Sequence, residues 1–103
     1  MRKKIDSRYA DTRVLKSSGN VFADLGFDDA EACVMALRVE LMVQLRKQLT
    51  DEGLTQAEAA KKLGVTQPRI SALLKGAWKE FSIDMLLTLA ARAGLRPELR
   101  LAA

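Results

Sequence analysis

Two short segments in the middle of the chain each begin at a threonine that can cap a helix and end at a glycine that can stop one. Thr55 precedes the first segment and Gly64 follows it, while Thr66 precedes the second and Gly76 follows it. Pro68 falls in the first turn of the second segment, where its missing N–H costs nothing. Only three residues separate the segments, so the sequence predicts two short helices joined by a tight turn.

The side chains of these two segments are suited to a steep helix crossing. Ala60 is small enough for a close approach, and Gly64 can adopt a positive φ at the turn. The predicted inward face consists of Leu63, Val65, Ile70, Leu73 and Leu74. This spacing is that of a helix-turn-helix motif over residues 55–76, and it resembles the lambda-repressor/Cro-like (Xre-type) family.

Capping residues also predict a longer helix before the motif and a short one after it. Asp28 begins the first of these, helix-forming residues continue to Glu52, and Gly53 ends it. Ser82 begins the last helix and Gly94 ends it. The resemblance implies that these helices belong to the five-helix arrangement of the lambda-repressor family.

The tail after the last helix alternates apolar and charged residues with the period of a strand. Leu95, Leu99 and Leu101 share one face, which predicts a short β-strand over residues 96–101. A single strand cannot satisfy its own backbone groups, so we expect it to pair with the same strand of a second copy. The predicted fold is an all-α, five-helix lambda-repressor-like DNA-binding domain with a short C-terminal β-strand used for dimerisation. Its expected dimer interface is Leu95, Leu99 and Leu101.

The composition excludes several kinds of chemistry. The chain has no histidine and a single cysteine, Cys33, which rules out histidine acid/base catalysis, Cys/His zinc sites and intrachain disulfides. We expect no enzyme activity, no metal and no cofactor, and we expect Cys33 to be a packing residue. The most apolar stretch, residues 85–91, is too short to cross a bilayer. A cytoplasmic protein without a membrane partner is therefore expected.

The net charge of +4 is unevenly distributed along the chain. Residues 1–16 carry six Lys/Arg against two Asp, residues 17–52 carry three against seven acidic residues, and residues 53–103 carry eight against four. Basic clusters of this kind are typical of nucleic-acid binders. We expect residues 1–18 to form a basic flexible arm, with DNA phosphates or no partner as its role, and residues 19–103 to form the helix-turn-helix domain.

The face of the second motif helix that points away from the core contains the candidate DNA-contacting residues. Gln67 is suited to a bidentate contact with adenine, and Arg69 to guanine or a phosphate. Trp78 either covers the edge of the core or offers its indole N–H to a phosphate. Phosphate contacts are expected at the start of the first motif helix and around the loop after the second. The predicted set is Gln56, Thr66, Gln67, Pro68, Arg69, Ser71, Ala72, Lys75 and Lys79.

A closer resemblance covers most of the chain from Ser17 onward. The segments 17–26, 54–60, 67–71 and 81–84 are similar to those of HigA-like antitoxins, a subgroup of the Xre-type family. The resemblance implies a homodimeric transcriptional repressor that binds a palindromic operator, autoregulates its operon and neutralises a RelE/HigB-like toxin.

The long first helix leaves other hypotheses open. Its apolar residues form two stripes, namely Leu37, Leu41 and Leu45, and Met35, Val39 and Met42. A helix on one core needs a single stripe, so the second is covered by the apolar patch at residues 21–27 or by another protein. A protein-interaction module with secondary DNA binding is therefore one alternative, and a stand-alone Xre-type regulator is another. An enzyme has little support, because the carboxylates at residues 28–31 suit helix capping.

Overall fold

The computed structural model describes residues 4–5 and 24–102. Four α-helices follow one another in this part of the chain, and a short 3-10 turn, Trp78–Glu80, precedes the last of them. The helices are α1 (Asp29–Asp51), α2 (Gln56–Leu63), α3 (Gln67–Leu74) and α4 (Ile83–Arg92). The described residues contain no sheet and one isolated antiparallel bridge, between Lys4 and Thr55. The all-α class is therefore confirmed, with four α-helices in the described residues where five were expected.

The predicted helix starts are confirmed at each cap. Asp28 accepts a hydrogen bond from the Glu31 amide at 2.7 Å, and the Glu31 carboxylate accepts one from the Asp28 amide, which completes a capping box. Thr55 begins α2 with a second capping box, while Thr66 and Ser82 each cap a helix with their hydroxyl oxygen. Such caps satisfy amides that no helical carbonyl can reach.

The core lies where α1 crosses α4 and the helix pair α2–α3. Met42, Leu45 and Leu49 of α1 are fully buried. The inward face predicted for the motif is confirmed, because Leu63, Ile70, Leu73 and Leu74 are buried and Val65 is partly buried against them. The largest fully buried side chain belongs to Phe81, which follows the 3-10 turn.

Side chains from distant helices satisfy the last carbonyls of three helices. Arg46 of α1 donates to the Leu74 carbonyl at the end of α3 at 3.2 Å. Arg92 of α4 donates to the Leu63 carbonyl at the end of α2 at 2.9 Å. Gln48 of α1 donates to the Ala93 carbonyl after α4 at 3.3 Å. These bonds fix the helix ends relative to each other as well as satisfying them.

Two residues of the predicted arm belong to the folded domain. The Ile5 amide donates to the Leu54 carbonyl at 3.0 Å, and the Ile5 side chain is buried in the core. The prediction of an arm free of the domain is therefore wrong at residues 4–5, because an isoleucine in the polar segment gains burial there. The rest of the predicted arm, residues 1–3 and 6–18, lies outside the described residues.

The first helix departs from its predicted arrangement of stripes. Met42 was assigned to the second stripe but is buried in the core, whereas Leu37 of the first stripe is 46% exposed. Val34 is also exposed, and Leu41 is partly buried. Cys33 was expected to be a packing residue and is instead exposed. Of the patch at residues 21–27, residues 21–23 lie outside the described part.

The C-terminal tail forms no strand within the described part of one chain. Residues 95–102 make no β-bridge, and no other extended segment of that part runs beside them. Leu95 is held near α4, because its amide donates to the Ala90 carbonyl at 3.0 Å. Leu99 and Leu101 are 78% and 90% exposed.

Candidate nucleic-acid interface

The second motif helix, α3, buries one face and exposes its N-terminal turn. Gln67 and Pro68 are exposed, and so is Lys75, which caps the C-terminal end of the helix. Ser71 and Ala72 are partly buried on the same side. This surface combines polar, basic and small apolar side chains, and its exposed first turn is the part of a recognition helix that enters a DNA groove.

Thr66 is used in the structure as a cap. Its hydroxyl oxygen accepts a hydrogen bond from the Arg69 amide at 3.3 Å. Its predicted contact with DNA would have to coexist with this cap. The side chain therefore contributes first to the start of α3 and to the orientation of Gln67 and Pro68 that follow it.

Arg69, predicted to contact guanine or a phosphate, is engaged with the segment that follows α3. One of its terminal nitrogens, Nη1, donates to the Glu80 carbonyl at 3.1 Å. Its guanidinium carbon lies 5.3 Å from the centre of the Phe81 ring. Both partners come more than ten residues later in the chain, so no local pattern could have indicated them.

The 3-10 turn carries an aromatic and basic pair beside α3. The Lys79 Nζ lies 5.4 Å from the centre of the Trp78 ring. That ring meets Phe27 edge-on, with 6.3 Å between ring centres, and is partly buried against the core. Of the two interpretations of Trp78, the structure supports the one in which it covers the edge of the core. Lys79 remains exposed.

The first motif helix, α2, carries the predicted phosphate contact Gln56 and two lysines. Gln56 is its first residue and is partly buried. Lys62 forms an ion pair with Glu52, and this hydrogen bond holds the pKa of the Glu52 carboxyl below its usual value. Lys61 is exposed. The start of α2 is occupied by the capping box of Thr55 and Glu58, and Gln56 lies beside it as the first helical residue.

Two of the three predicted dimer residues, Leu99 and Leu101, line a groove between α1, α4 and the tail. Leu95 is partly buried, whereas Leu99 and Leu101 expose most of their surface. The groove has a volume of about 280 Å³ and is largely apolar. It is lined by Leu37, Glu40, Leu41, Gln44, Ile83, Leu87, Glu98, Leu99, Arg100 and Leu101.

Two further properties concern the described residues alone. They contain no group of three or more Cys, Asp or Glu side chains that could hold a metal ion. None of their helices is both long and apolar enough to span a bilayer.

Comparison with known proteins identifies the domain. A family model described as a helix-turn-helix domain matches residues 21–102, about four fifths of the chain. No curated protein and no solved structure gave a match. The matched range contains α1 to α4, including the two crossing helices and the tight turn between them. The chain therefore belongs to the helix-turn-helix domain family.

Proposed function

We propose that the protein is a sequence-specific DNA-binding transcriptional repressor that inserts α3 into the major groove. The observation that carries the proposal is the exposed first turn of α3, where Gln67 and Pro68 stand clear of a fully buried opposite face. An amide side chain at this position can pair with both polar atoms of an adenine edge. Ser71 and Ala72 extend the same surface toward the C-terminal end of the helix.

Charge and helix ends support the same orientation on DNA. Lys75 and Lys79 are exposed on either side of the loop that follows α3, where they would meet the phosphate backbone. Gln56 begins α2, and its side-chain amide would donate to a second phosphate. These contacts would position α3 without reading sequence.

The decisive experiment is selection of bound duplexes from a random pool, followed by affinity measurements at several salt concentrations. The proposal expects one enriched palindromic sequence and a steep fall in log K with log [salt]. Lys79→Ala should reduce the magnitude of that slope by about one, the value of one phosphate contact. Lys61→Ala, which removes one positive charge from the other motif helix, is the control. An unenriched pool would contradict the proposal, as would equal affinity for all duplexes.

We further propose that the protein acts as a homodimer through its tail. Leu99 and Leu101 expose apolar surface beside a largely apolar groove, and antiparallel pairing of two tails would bury both and supply the missing strand partner. The α3 helices of the two copies would then bind half-sites about one turn of the DNA double helix apart. Sedimentation of Leu99→Asp should show a shift toward monomer and loss of operator binding. An intact dimer after removal of residues 96–103 would move the interface to α1.

The antitoxin role is proposed from the resemblance to HigA-like proteins. The N-terminal half of α1 supports it, because Glu31 and Val34, three residues apart on the helix, are both exposed and a basic ribonuclease would find both charge and apolar surface there. Calorimetry with the product of the adjacent gene tests this role. A small basic RelE-like protein should bind the wild type, and Val34→Asp should weaken binding while leaving operator affinity intact.

A second candidate is a protein-interaction module in which DNA binding is secondary. The exposed apolar residues Val34 and Leu37 on α1 favour it. Tight binding of a partner together with a shallow salt dependence for DNA would support this function over the first. A stand-alone regulator would instead bind its operator and no product of the adjacent gene.

A further inference from the structure

We propose that Arg69 is a positioning residue that holds the turn Trp78–Glu80 against α3, so that Lys79 reaches a DNA phosphate, and that Arg69 does not read a base. This inference rests on the proposed DNA binding. It changes which side chains of the interface carry sequence information.

The Arg69 side chain is engaged on its own protein. Its Nη1 donates to the Glu80 carbonyl at 3.1 Å, and its guanidinium lies over the Phe81 ring. Phe81 is 1% exposed, so the surrounding core fixes the ring that the guanidinium covers. An Arg69 side chain that turned toward a base would lose both the hydrogen bond and the cation–π contact.

The acceptor of that hydrogen bond lies at the end of the turn. Two backbone bonds shape the turn internally, from the Glu80 amide to the Ala77 carbonyl at 3.0 Å and from the Phe81 amide to the Trp78 carbonyl at 3.2 Å. The Ala77 amide, just before the turn, donates to the Ala72 carbonyl of α3 at 3.0 Å, and the bond from Arg69 ties the other end of the turn to α3. Arg69 therefore helps to set how the turn is oriented relative to the recognition helix.

Lys79 is the cation that the turn carries beside α3. Its ammonium lies over the Trp78 ring and is exposed, so its position follows that of the turn. A single cation contributes to phosphate binding only when it is held near the backbone path. With Arg69 engaged elsewhere, Gln67 is the exposed residue in the first turn of α3 that can pair with a base edge.

A double-mutant cycle on the full-length chain separates positioning from direct contact. Arg69→Ala should weaken binding about fivefold, the equivalent of one hydrogen bond, for the selected operator and for unrelated duplexes alike. Base preference should stay unchanged. Arg69→Ala should have no added effect in a Lys79→Ala background, since the positioned cation is then absent. Lys61→Ala serves as the control for loss of one positive charge.

A measurement on the free protein tests the anchor without DNA. Trp78 is the only tryptophan, so acrylamide quenching of the intrinsic fluorescence reports on the exposure of this one side chain in the turn. Quenching should rise in Arg69→Ala and be partly restored in Arg69→Lys, with helix content unchanged. Equal quenching in all three proteins would overturn the proposal.

The DNA results distinguish this inference from the proposed function. Relaxed base preference in Arg69→Ala would show that Arg69 reads a base and would overturn the inference. Additive losses of affinity in the Arg69→Ala, Lys79→Ala double variant would show that Arg69 contacts a phosphate independently of Lys79, and would also overturn it. In both cases DNA binding itself would stand. A wild-type chain that binds no duplex would overturn the proposed function together with the inference.

Discussion

Arg92 donates a hydrogen bond from Nη1 to the carbonyl of Leu63 at 2.9 Å, and so ties the last helix to the end of the first motif helix. The same Nη1 lies 3.1 Å from the position that a Cβ would occupy on Gly64. The tight turn of the motif is therefore held from outside as well as by its own backbone.

Replacing Arg92 should loosen the motif without altering its surface. Arg92→Ala leaves the Leu63 carbonyl without this donor, and we expect the free energy of unfolding to fall by about 1–2 kcal/mol. Urea denaturation followed by circular dichroism measures the change. Arg96→Ala, at an exposed position in the tail, is the control. Equal loss in both variants would contradict a specific role for Arg92.

Any side chain at position 64 should lower the stability of the domain. Its φ of 70° lies in the left-handed region, and an added Cβ would also press on Arg92. Gly64→Ala should lower the free energy of unfolding by about 1–2 kcal/mol from backbone strain alone. Gly64→Asn should lower the free energy of unfolding by less than Gly64→Ala if backbone strain outweighs the contact with Arg92, because asparagine adopts the left-handed conformation more readily. Thermal melting of both variants decides the order.

Ile5 should stabilise the domain although it lies at the start of the chain. Its side chain is 7% exposed and packs in the same core as Leu49 and Leu63. Ile5→Ala should lower the free energy of unfolding by about 2 kcal/mol, and Ile5→Val by about 1 kcal/mol. Urea denaturation of the two variants should reproduce that order. A midpoint unchanged in Ile5→Ala would show that the arm does not contribute to folding.

The ion pair of Glu52 and Lys62 should make stability depend on pH in acid. The hydrogen bond from Lys62 holds the pKa of the Glu52 carboxyl below its ordinary value of 4.5. As the pH falls, this carboxylate is therefore protonated in the unfolded state before it is protonated in the folded state. The stabilisation is present above 4.5 and is lost as the pH falls through the lower folded value. Because the pair is at the surface, its contribution should stay below about 1 kcal/mol. Lys62→Met should flatten the acid limb of a stability–pH curve, and Lys47→Met should leave the Glu52 contribution intact.

Gln67 should carry the sequence preference of each half-site. Gln67→Ala should weaken operator binding by about 1–3 kcal/mol and relax preference at one base pair. Fluorescence anisotropy with single-base operator variants measures both effects. If a correctly folded Gln67→Ala protein retains full affinity and preference, the reading surface lies elsewhere.

The helices could be predicted because their signals are local. Asp28, Thr55, Thr66 and Ser82 each cap a helix within three residues of the amide they bind, and the inward face of the motif follows from helical spacing. The helix α3 ends at Leu74, one residue earlier than predicted, because Lys75 serves as its C-terminal cap.

The contacts that the sequence did not predict are formed between distant residues. Arg69 meets Glu80, Arg46 meets Leu74, and Arg92 meets Leu63 across 11, 28 and 29 positions. No periodicity encodes such pairs, because they depend on how the helices cross. Ile5 was missed for the same reason: one apolar residue in a polar segment has no pattern around it. The predicted strand in the tail is a different case, since alternation can predict a strand but not the segment that pairs with it.

The donation from Arg46, Gln48 and Arg92 to the ends of three other helices has a consequence for how the protein can be inactivated. The motif helices α2 and α3 have eight residues each, too few to persist in water unsupported. A cut by a protease in α1 or α4 would remove that support, and the proposed DNA-binding surface would unfold although none of its residues had been removed.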